Sequence, residues 1–278
     1  MGLFIESIGN DQEFLDKHLQ DVSVVFYAAI NSLYKEMAVN WYLHILKCGR
    51  SIKNILILCL DLESYTFLKD KNIPCVFFDI SNCTELKNIN IIKQFYNVDH
   101  HIIKYAVGEL IVSKYNVDLI YLDIDMIVLK DPANYIFSLI REKNADSCAI
   151  TDKSYSQITC MKKFVNNSMN YGGMMLYWNK DIFNKINNIT SVKFSFDQNA
   201  DFRSIKTVLN LNVAELNSFL FPSSYIWDIP FIKKTIKNTC YIVHYHTSSD
   251  VNSVEKDHLK VILNNKITKM KDSDHWLL

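Results

Sequence analysis

The sequence predicts an α/β protein with a mixed, mainly parallel sheet flanked by helices. Short runs of consecutive apolar residues alternate with segments of helical periodicity through the first half of the chain, which is typical of strands joined by crossover helices. The apolar runs show no polar alternation, as expected of strands buried on both faces. With 278 residues and 49% hydrophobic residues, the chain can bury a large core. We expect a single domain over residues 1–278.

The first half of the chain contains three strand-like runs separated by helical segments. We predict strands at residues 23–29, 54–60 and 74–78. A helix at 31–48 follows the first run and is stopped by Gly49, and a short helix at 62–70 follows the second. A further helical pattern at 102–115 leads into the apolar run that ends in Asp123 and Asp125. These carboxylates therefore follow a central strand of the predicted sheet.

The second half of the chain alternates less regularly. A helix is predicted from Pro132 to about Lys143, and a later strand is entered through Gly172 and Gly173, where glycine permits close approach of a ligand. The predicted strands are 147–150, 170–177, 213–214 and 240–245, and the predicted helices are 181–189 and 197–209.

Composition excludes several classes of function. Lys+Arg and Asp+Glu both number 30, so the chain lacks the net positive charge expected of a nucleic-acid-binding protein. No apolar run reaches the length of a membrane span and the N-terminus lacks a signal-like pattern, so we expect a cytoplasmic protein. The 7 cysteines are odd in number and lack zinc-site spacing, which indicates reduced thiols.

Asp123 and Asp125 are the leading candidates for a functional site. Residues i and i+2 of a strand share a face, so both carboxylates could bind one divalent cation whose shell is completed by substrate phosphates. Their apolar neighbours in sequence offer no basic partner, and a bound cation would offset the cost of burying two charges. The alternative is that the two charges are solvated at a strand end or cap the next helix.

The order of these motifs resembles the nucleotide-diphospho-sugar transferase domain of GT-A glycosyltransferases, specifically that of plant cell-wall xylosyl- and arabinosyltransferases. The resemblance spans about residues 22–260. Its elements are the opening strand 24–31, the helix with Lys104, Asp123-Ile-Asp125 with Asp131-Pro132, Asn170-Tyr-Gly-Gly173, Asp197-Gln198 with Phe202, and His244-Tyr-His246.

The resemblance implies a metal-dependent transfer of a sugar, with xylose as one candidate, from a UDP-sugar to a glycan acceptor. Mn²⁺ or Mg²⁺ would bind Asp123, Asp125 and His244 and bridge the diphosphate. About residues 22–130 would bind the nucleotide sugar and about 131–278 the acceptor. The other donor contacts implied by the resemblance are Ala28, Asn31, Lys104, Asn170, Gly172, Gly173 and His246.

The same resemblance implies that Asp197 and Gln198 lie beside the anomeric carbon. If the reaction inverts that centre, Asp197 is the first candidate for the base and Asp228 the second. If configuration is retained, Gln198 or Asp197 would stabilise the oxocarbenium face instead. From the residues alone, Asp197 could equally cap a helix, and His244 could be an ordinary histidine at a strand end.

Two other classes of function remain open. One is a catalytically silent module that binds a nucleotide sugar, and the other is a metal-dependent nucleotidyltransferase or phosphohydrolase, which also uses paired carboxylates on a strand. The chain contains neither a Walker phosphate loop nor a Gly-x-Gly-x-x-Gly motif, which disfavours an ATPase or a dehydrogenase.

Overall fold

The structure is a computed structural model. It describes residues 11–78, 107–108, 111–112, 114–145, 147–151, 171–178, 213–216, 240–245 and 256–278. The helices are α1 (Gln12–His18), α2 (Lys35–Lys47), α3 (Leu62–Asp70), α4 (Ala133–Lys143) and α5 (Lys256–Asp272). The strands are β1 (Val24–Ile30), β2 (Ile55–Cys59), β3 (Cys75–Phe77), β4 (Asp118–Leu122), β5 (Met126–Val128), β6 (Ser147–Thr151), β7 (Tyr171–Trp178), β8 (Val213–Leu216) and β9 (Ile242–His244).

Seven strands form one mixed sheet in the order β3-β2-β1-β4-β7-β6-β8. β3, β2, β1 and β4 run parallel, whereas β7 is antiparallel to β4 and to β6, and β8 is parallel to β6. This topology confirms the predicted α/β fold. Since β4 lies at the centre of the order, the loop that follows it opens at the middle of one sheet edge, where α/β proteins commonly bind ligands.

The parallel strands form because their side chains are apolar on both faces. All of β2 is buried, and in β1 only Ala29 is partly exposed. Phe26 of β1 packs in one core cluster with Trp41 of α2, and both are 0% exposed. The predicted stop of α2 is found, because Gly49 follows this helix with a φ of 88°, which favours glycine. The structure adds a cap to α3, where Asp61 accepts a hydrogen bond from the Ser64 backbone N–H at 2.8 Å.

Asp123 and Asp125 follow a central strand, as predicted, but the strand stops just before them, so they do not lie within it. β4 ends at Leu122, and the two aspartates lie in a turn closed by the Met126 N–H donating to the Asp123 carbonyl at 3.0 Å. The chain then enters β5, which leaves the main sheet and pairs antiparallel with β9. Two charged residues interrupt the apolar pattern that a doubly buried strand requires, so the strand stops there. The shared-face argument from strand periodicity therefore does not apply to this pair.

Helix α5 is absent from the prediction, although its sequence carries a helical pattern. Apolar residues recur at helical spacing at Leu259, Leu263, Ile267 and Met270. Met270 is fully buried, and Leu263 and Ile267 pack partly buried against the core. The low overall hydrophobicity of this segment made the pattern easy to miss, because five lysines lie among the apolar positions.

Buried hydrogen bonds attach the segment after α5 to α2. The Asn40 side chain donates to the His275 carbonyl at 3.0 Å and accepts from the Leu277 backbone N–H at 2.7 Å. The His44 imidazole donates to the same His275 carbonyl at 2.9 Å, and the Tyr245 hydroxyl lies 2.6 Å from the His275 ring. Burial lowers the pKa of His44, which keeps the ring neutral at this contact. These bonds fix the position of α5 relative to β9 and α2.

The predicted helices at 181–189 and 197–209 lie outside the described residues, as does much of the predicted helix at 102–115. The described residues of that last segment, including Val107 and Ile111, are helical. Within the part of the chain that the structure describes, no helix is both long enough and apolar enough to cross a bilayer.

Replacing Asn40 should loosen the C-terminal segment. Asn40→Ala removes the hydrogen bond to the His275 carbonyl and leaves the Leu277 N–H without its acceptor, so we expect the free energy of unfolding to fall by about 1–3 kcal/mol. Urea denaturation followed by circular dichroism measures the change. Asn264→Ala, at an exposed position of α5, is the matched control and should not lower stability. Equal stabilities of the two variants would show that the Asn40 contacts do not hold the segment.

Candidate metal and donor site

The short sheet of β5 and β9 brings Asp125 beside His244. Met126 pairs with His244 in this sheet, and the Tyr245 backbone N–H donates to the Asp125 carbonyl at 3.0 Å. The two side chains consequently face each other, with His244 Nε2 3.4 Å from Asp125 Oδ1, and both are almost fully buried. Two of the three predicted metal ligands therefore lie in contact, although they are far apart in sequence.

A third side chain, Lys266 of α5, completes this cluster. Its Nζ lies 2.5 Å from Asp125 Oδ2, and both side chains are 11% exposed. The sequence analysis found no basic partner because it considered only the neighbours of Asp125 in the chain. That conclusion is wrong, since the tertiary structure brings in a lysine from 141 residues away. In the sequence, the signal that could have indicated this partner is a lysine among the apolar positions of α5.

The cluster is strongly ionic. Burial by itself would raise the pKa of Asp125, but the charge of Lys266 and the contact with His244 outweigh burial and hold that pKa well below its ordinary value. Burial would likewise lower the pKa of Lys266, but the attraction of Asp125 raises it. Both groups therefore carry their full charge at neutral pH. Among the described residues, Asp125 Oδ1 is buried without a hydrogen-bond partner of ordinary geometry, and His244 Nε2 lies 3.4 Å from it.

Asp123 is held differently from Asp125. Its carboxylate accepts a hydrogen bond from the Tyr121 hydroxyl, and it also interacts electrostatically with Lys266. In the described ranges, no three His, Cys, Asp or Glu side chains are grouped so as to hold a metal ion. The described geometry thus contains a two-residue cluster of Asp125 and His244, with Asp123 nearby on the same turn.

Tyr34 is a site residue that sequence reasoning missed. It lies in the short 3₁₀ turn Ser32–Tyr34 after β1 and interacts electrostatically with Lys266, Asp125 and Asp123. Burial, with the two carboxylates, raises the pKa of its hydroxyl, which therefore stays protonated and able to donate. The end of β1 thus reaches the aspartate turn, as expected for neighbouring parallel strands.

At the end of β1, the two predicted nucleoside contacts have distinct environments. Ala28 is 0% exposed in the core, and the half-buried Asn31 accepts a hydrogen bond from the Leu33 backbone N–H at 3.1 Å. The Ser32 backbone N–H donates to Asp61 Oδ2 at 2.7 Å. Asp61 therefore bridges the ends of β1 and β2, a role that its position before a helix only partly indicated.

Gly172 and Gly173 lie in β7, in the stretch where the pairing with β6 shifts register between Ala149 and Thr151. Such an irregularity is typical of a β-bulge, in which glycine is favoured. The other predicted site residues lie outside the described residues; these are Lys104, Asn170, Asp197, Gln198, Asp228 and His246.

Comparison with known proteins identifies the fold. No protein-family model matches the sequence, and no curated protein matches it. The structure is similar to the bifunctional glycosyltransferase WbbM, with a TM-score of 0.54 and 11% identity over 93% of this chain and 52% of that one. The chain therefore spans about half the length of the WbbM chain.

Two further structures match this chain over most of both lengths. The galactosyltransferase LgtC, solved with donor and acceptor sugar analogs, has a TM-score of 0.51 and 12% identity over 92% of this chain and 97% of its own. Mouse xyloside xylosyltransferase 1 has a TM-score of 0.50 and 10% identity over 84% of this chain and 100% of its own. The protein has the GT-A fold of glycosyltransferases, which confirms the fold that the resemblance implied.

The ion pair of Asp125 and Lys266 should be the most sensitive part of this cluster. Lys266→Met leaves a buried carboxylate without its partner, so we expect the free energy of unfolding to fall by about 3–5 kcal/mol. Adding Asp125→Asn in the same chain should recover much of that loss, because the unpaired charge is gone. Chemical denaturation of the single and double variants measures the difference. If the single and the double variant were equally stable, Asp125 would not be charged in the folded protein.

Proposed function

We propose that the chain is a metal-dependent glycosyltransferase that transfers a sugar from a UDP-sugar to a hydroxyl group of a glycan acceptor. The GT-A fold supports a nucleotide-sugar donor. The observation that carries the metal dependence is the contact of Asp125 with His244 at the centre of the sheet edge. Xylose remains a candidate sugar on the strength of the sequence resemblance, and the whole chain is proposed to form one catalytic domain.

The donor atoms of the site suit a divalent cation. Asp125 Oδ1 is a buried carboxylate oxygen that accepts no hydrogen bond from the described residues, and His244 Nε2 lies 3.4 Å from it. Carboxylate oxygens suit Mn²⁺ and Mg²⁺, and imidazole is a common ligand of transition metals. We propose that Asp125 and His244 hold Mn²⁺ or Mg²⁺, with Asp123 contributing from the same turn. When bound, the cation would stabilise negative charge on the departing nucleoside diphosphate.

The protein groups around the turn hold this site in place. The Tyr245 N–H fixes the backbone of Asp125, and the Tyr121 hydroxyl orients Asp123. The protonated hydroxyl of Tyr34 is proposed to donate a hydrogen bond to the donor, since it interacts with both aspartates. These groups pre-organise the site, which reduces the reorganisation needed when the donor binds.

The remaining donor and acceptor roles are proposals from the resemblance. Ala28 and Asn31 would border the nucleoside. For an inverting reaction the base would be Asp197, with Asp228 the alternative, and for a retaining reaction Gln198 or Asp197 would face the oxocarbenium ion. The other residues proposed to contact the donor are Lys104, Asn170, Gly172, Gly173 and His246.

Asp125 should be required for metal-dependent donor binding. Calorimetric titration of the protein with UDP-xylose, UDP-glucose, UDP-galactose and a GDP-sugar, with and without Mn²⁺, should give binding of a UDP-sugar that depends on the metal. Asp125→Asn should abolish that binding, because the ligand charge is lost.

The control for this experiment is Asp70→Asn, an exposed residue at the end of α3 and thus at the opposite edge of the sheet. It should bind the donor as the wild type does. Metal-dependent donor binding that survives in Asp125→Asn would remove Asp125 from the proposed site. Donor binding without sugar transfer to any glycan would instead indicate a silent binding module.

His244 should contribute directly to metal affinity. His244→Ala removes the imidazole that faces Asp125, and we expect the Mn²⁺ dissociation constant to rise by roughly tenfold to a hundredfold. Electron paramagnetic resonance of free Mn²⁺ reports the change. His18→Ala alters another buried histidine, located in α1, and serves as the control. An unchanged Mn²⁺ titration in His244→Ala would make His244 a structural residue.

A further inference from the structure

Lys266 is the one component of the Asp125 cluster that the proposed metal site does not use. It is a cation placed directly against a proposed metal ligand, with Nζ 2.5 Å from Asp125 Oδ2. A lysine is strongly hydrated in water, and burying one has a large cost unless it is paired. Because the Lys266 side chain is only 11% exposed, it is a structural part of the site and not a surface side chain.

The two oxygens of Asp125 serve two different neighbours. Oδ2 accepts from Lys266, whereas the buried Oδ1 faces His244 and accepts no hydrogen bond from the described residues. A cation held by Oδ1 and His244 would share its carboxylate with the lysine ammonium. Since like charges at such short range in a buried site repel strongly, the lysine must weaken the binding of any cation there.

We propose that Lys266 is a permanent counter-charge to Asp125. It neutralises Asp125 when no metal is bound, and it lowers the affinity of Asp125 and His244 for a divalent metal. This inference rests on the proposed metal site. Its consequence is that the site is assembled and charge-compensated without metal, so that metal binding is separated from folding.

The fold holds Lys266 in this position. Its helix packs through Met270, one turn further along, which is fully buried. The segment that follows is tied to α2 through Asn40 and His275. Asp123 and Tyr34 also interact with Lys266, so the ammonium is surrounded by groups that favour its charge. Moving it away from Asp125 would require the C-terminal helix to shift or the side chain to leave its buried position.

The test is the Mn²⁺ affinity of the full chain in the absence of nucleotide, measured by isothermal titration calorimetry. Lys266→Met should bind Mn²⁺ at least about tenfold more tightly than the wild type, because a repelling charge is removed. Lys260→Met, at an exposed position of the same helix, should bind as the wild type does. An affinity of Lys266→Met equal to or weaker than that of the wild type would overturn the inference.

A second variant keeps the test decisive if Lys266→Met folds poorly. Lys266→Gln can still donate a hydrogen bond to Asp125 but carries no charge, and Mn²⁺ should raise its melting temperature more than that of the wild type. An equal rise would overturn the role of Lys266 and leave the metal site standing. If the Lys266 variants bound Mn²⁺ and the wild type did not, the inference would be supported. If neither the variants nor the wild type bound Mn²⁺, both this inference and the proposed metal dependence would be overturned.

Discussion

The buried charge of Asp125 is the constraint on which the candidate site depends. A buried carboxylate in this position needs compensating partners; the structure supplies the ammonium of Lys266, and the imidazole of His244 lies beside it. These partners come from α5 and β9, near the end of the chain, whereas Asp125 follows β4 near its middle. The charge therefore ties the C-terminal elements to the centre of the sheet edge.

The same contact links architecture to chemistry. Because β5 leaves the main sheet to pair with β9, the turn that carries Asp123 and Asp125 faces the strand that carries His244. The 3₁₀ turn after β1 brings Tyr34 to the same place. Parallel strands end at a common edge, so the fold gathers polar groups from distant segments at one point, whereas β1 and β2 are buried almost throughout.

The sequence predicted the regular elements well where local patterns decide them. β1, β2 and β3 follow from continuous apolar runs, and the short helix predicted at 62–70 is found as α3. The prediction failed at two segments, the apolar run around Asp123 and the segment of α5. The apolar run around Asp123 suggested one strand, but it contains two strands of different sheets joined by a turn, and the lysine-rich segment of α5 concealed a helix packed on the core.

The sequence by itself determined the α/β class, the position of the aspartates after a central strand, and the candidacy of Asp125 and His244, because apolar periodicity and residue chemistry are local properties. Only the tertiary structure decided that Asp125 contacts His244, that Asp123 is bonded to Tyr121, and that Lys266 is the partner of the buried carboxylate. Which charge neutralises a buried carboxylate depends on how separate segments pack in space, and spacing along the chain does not encode that choice.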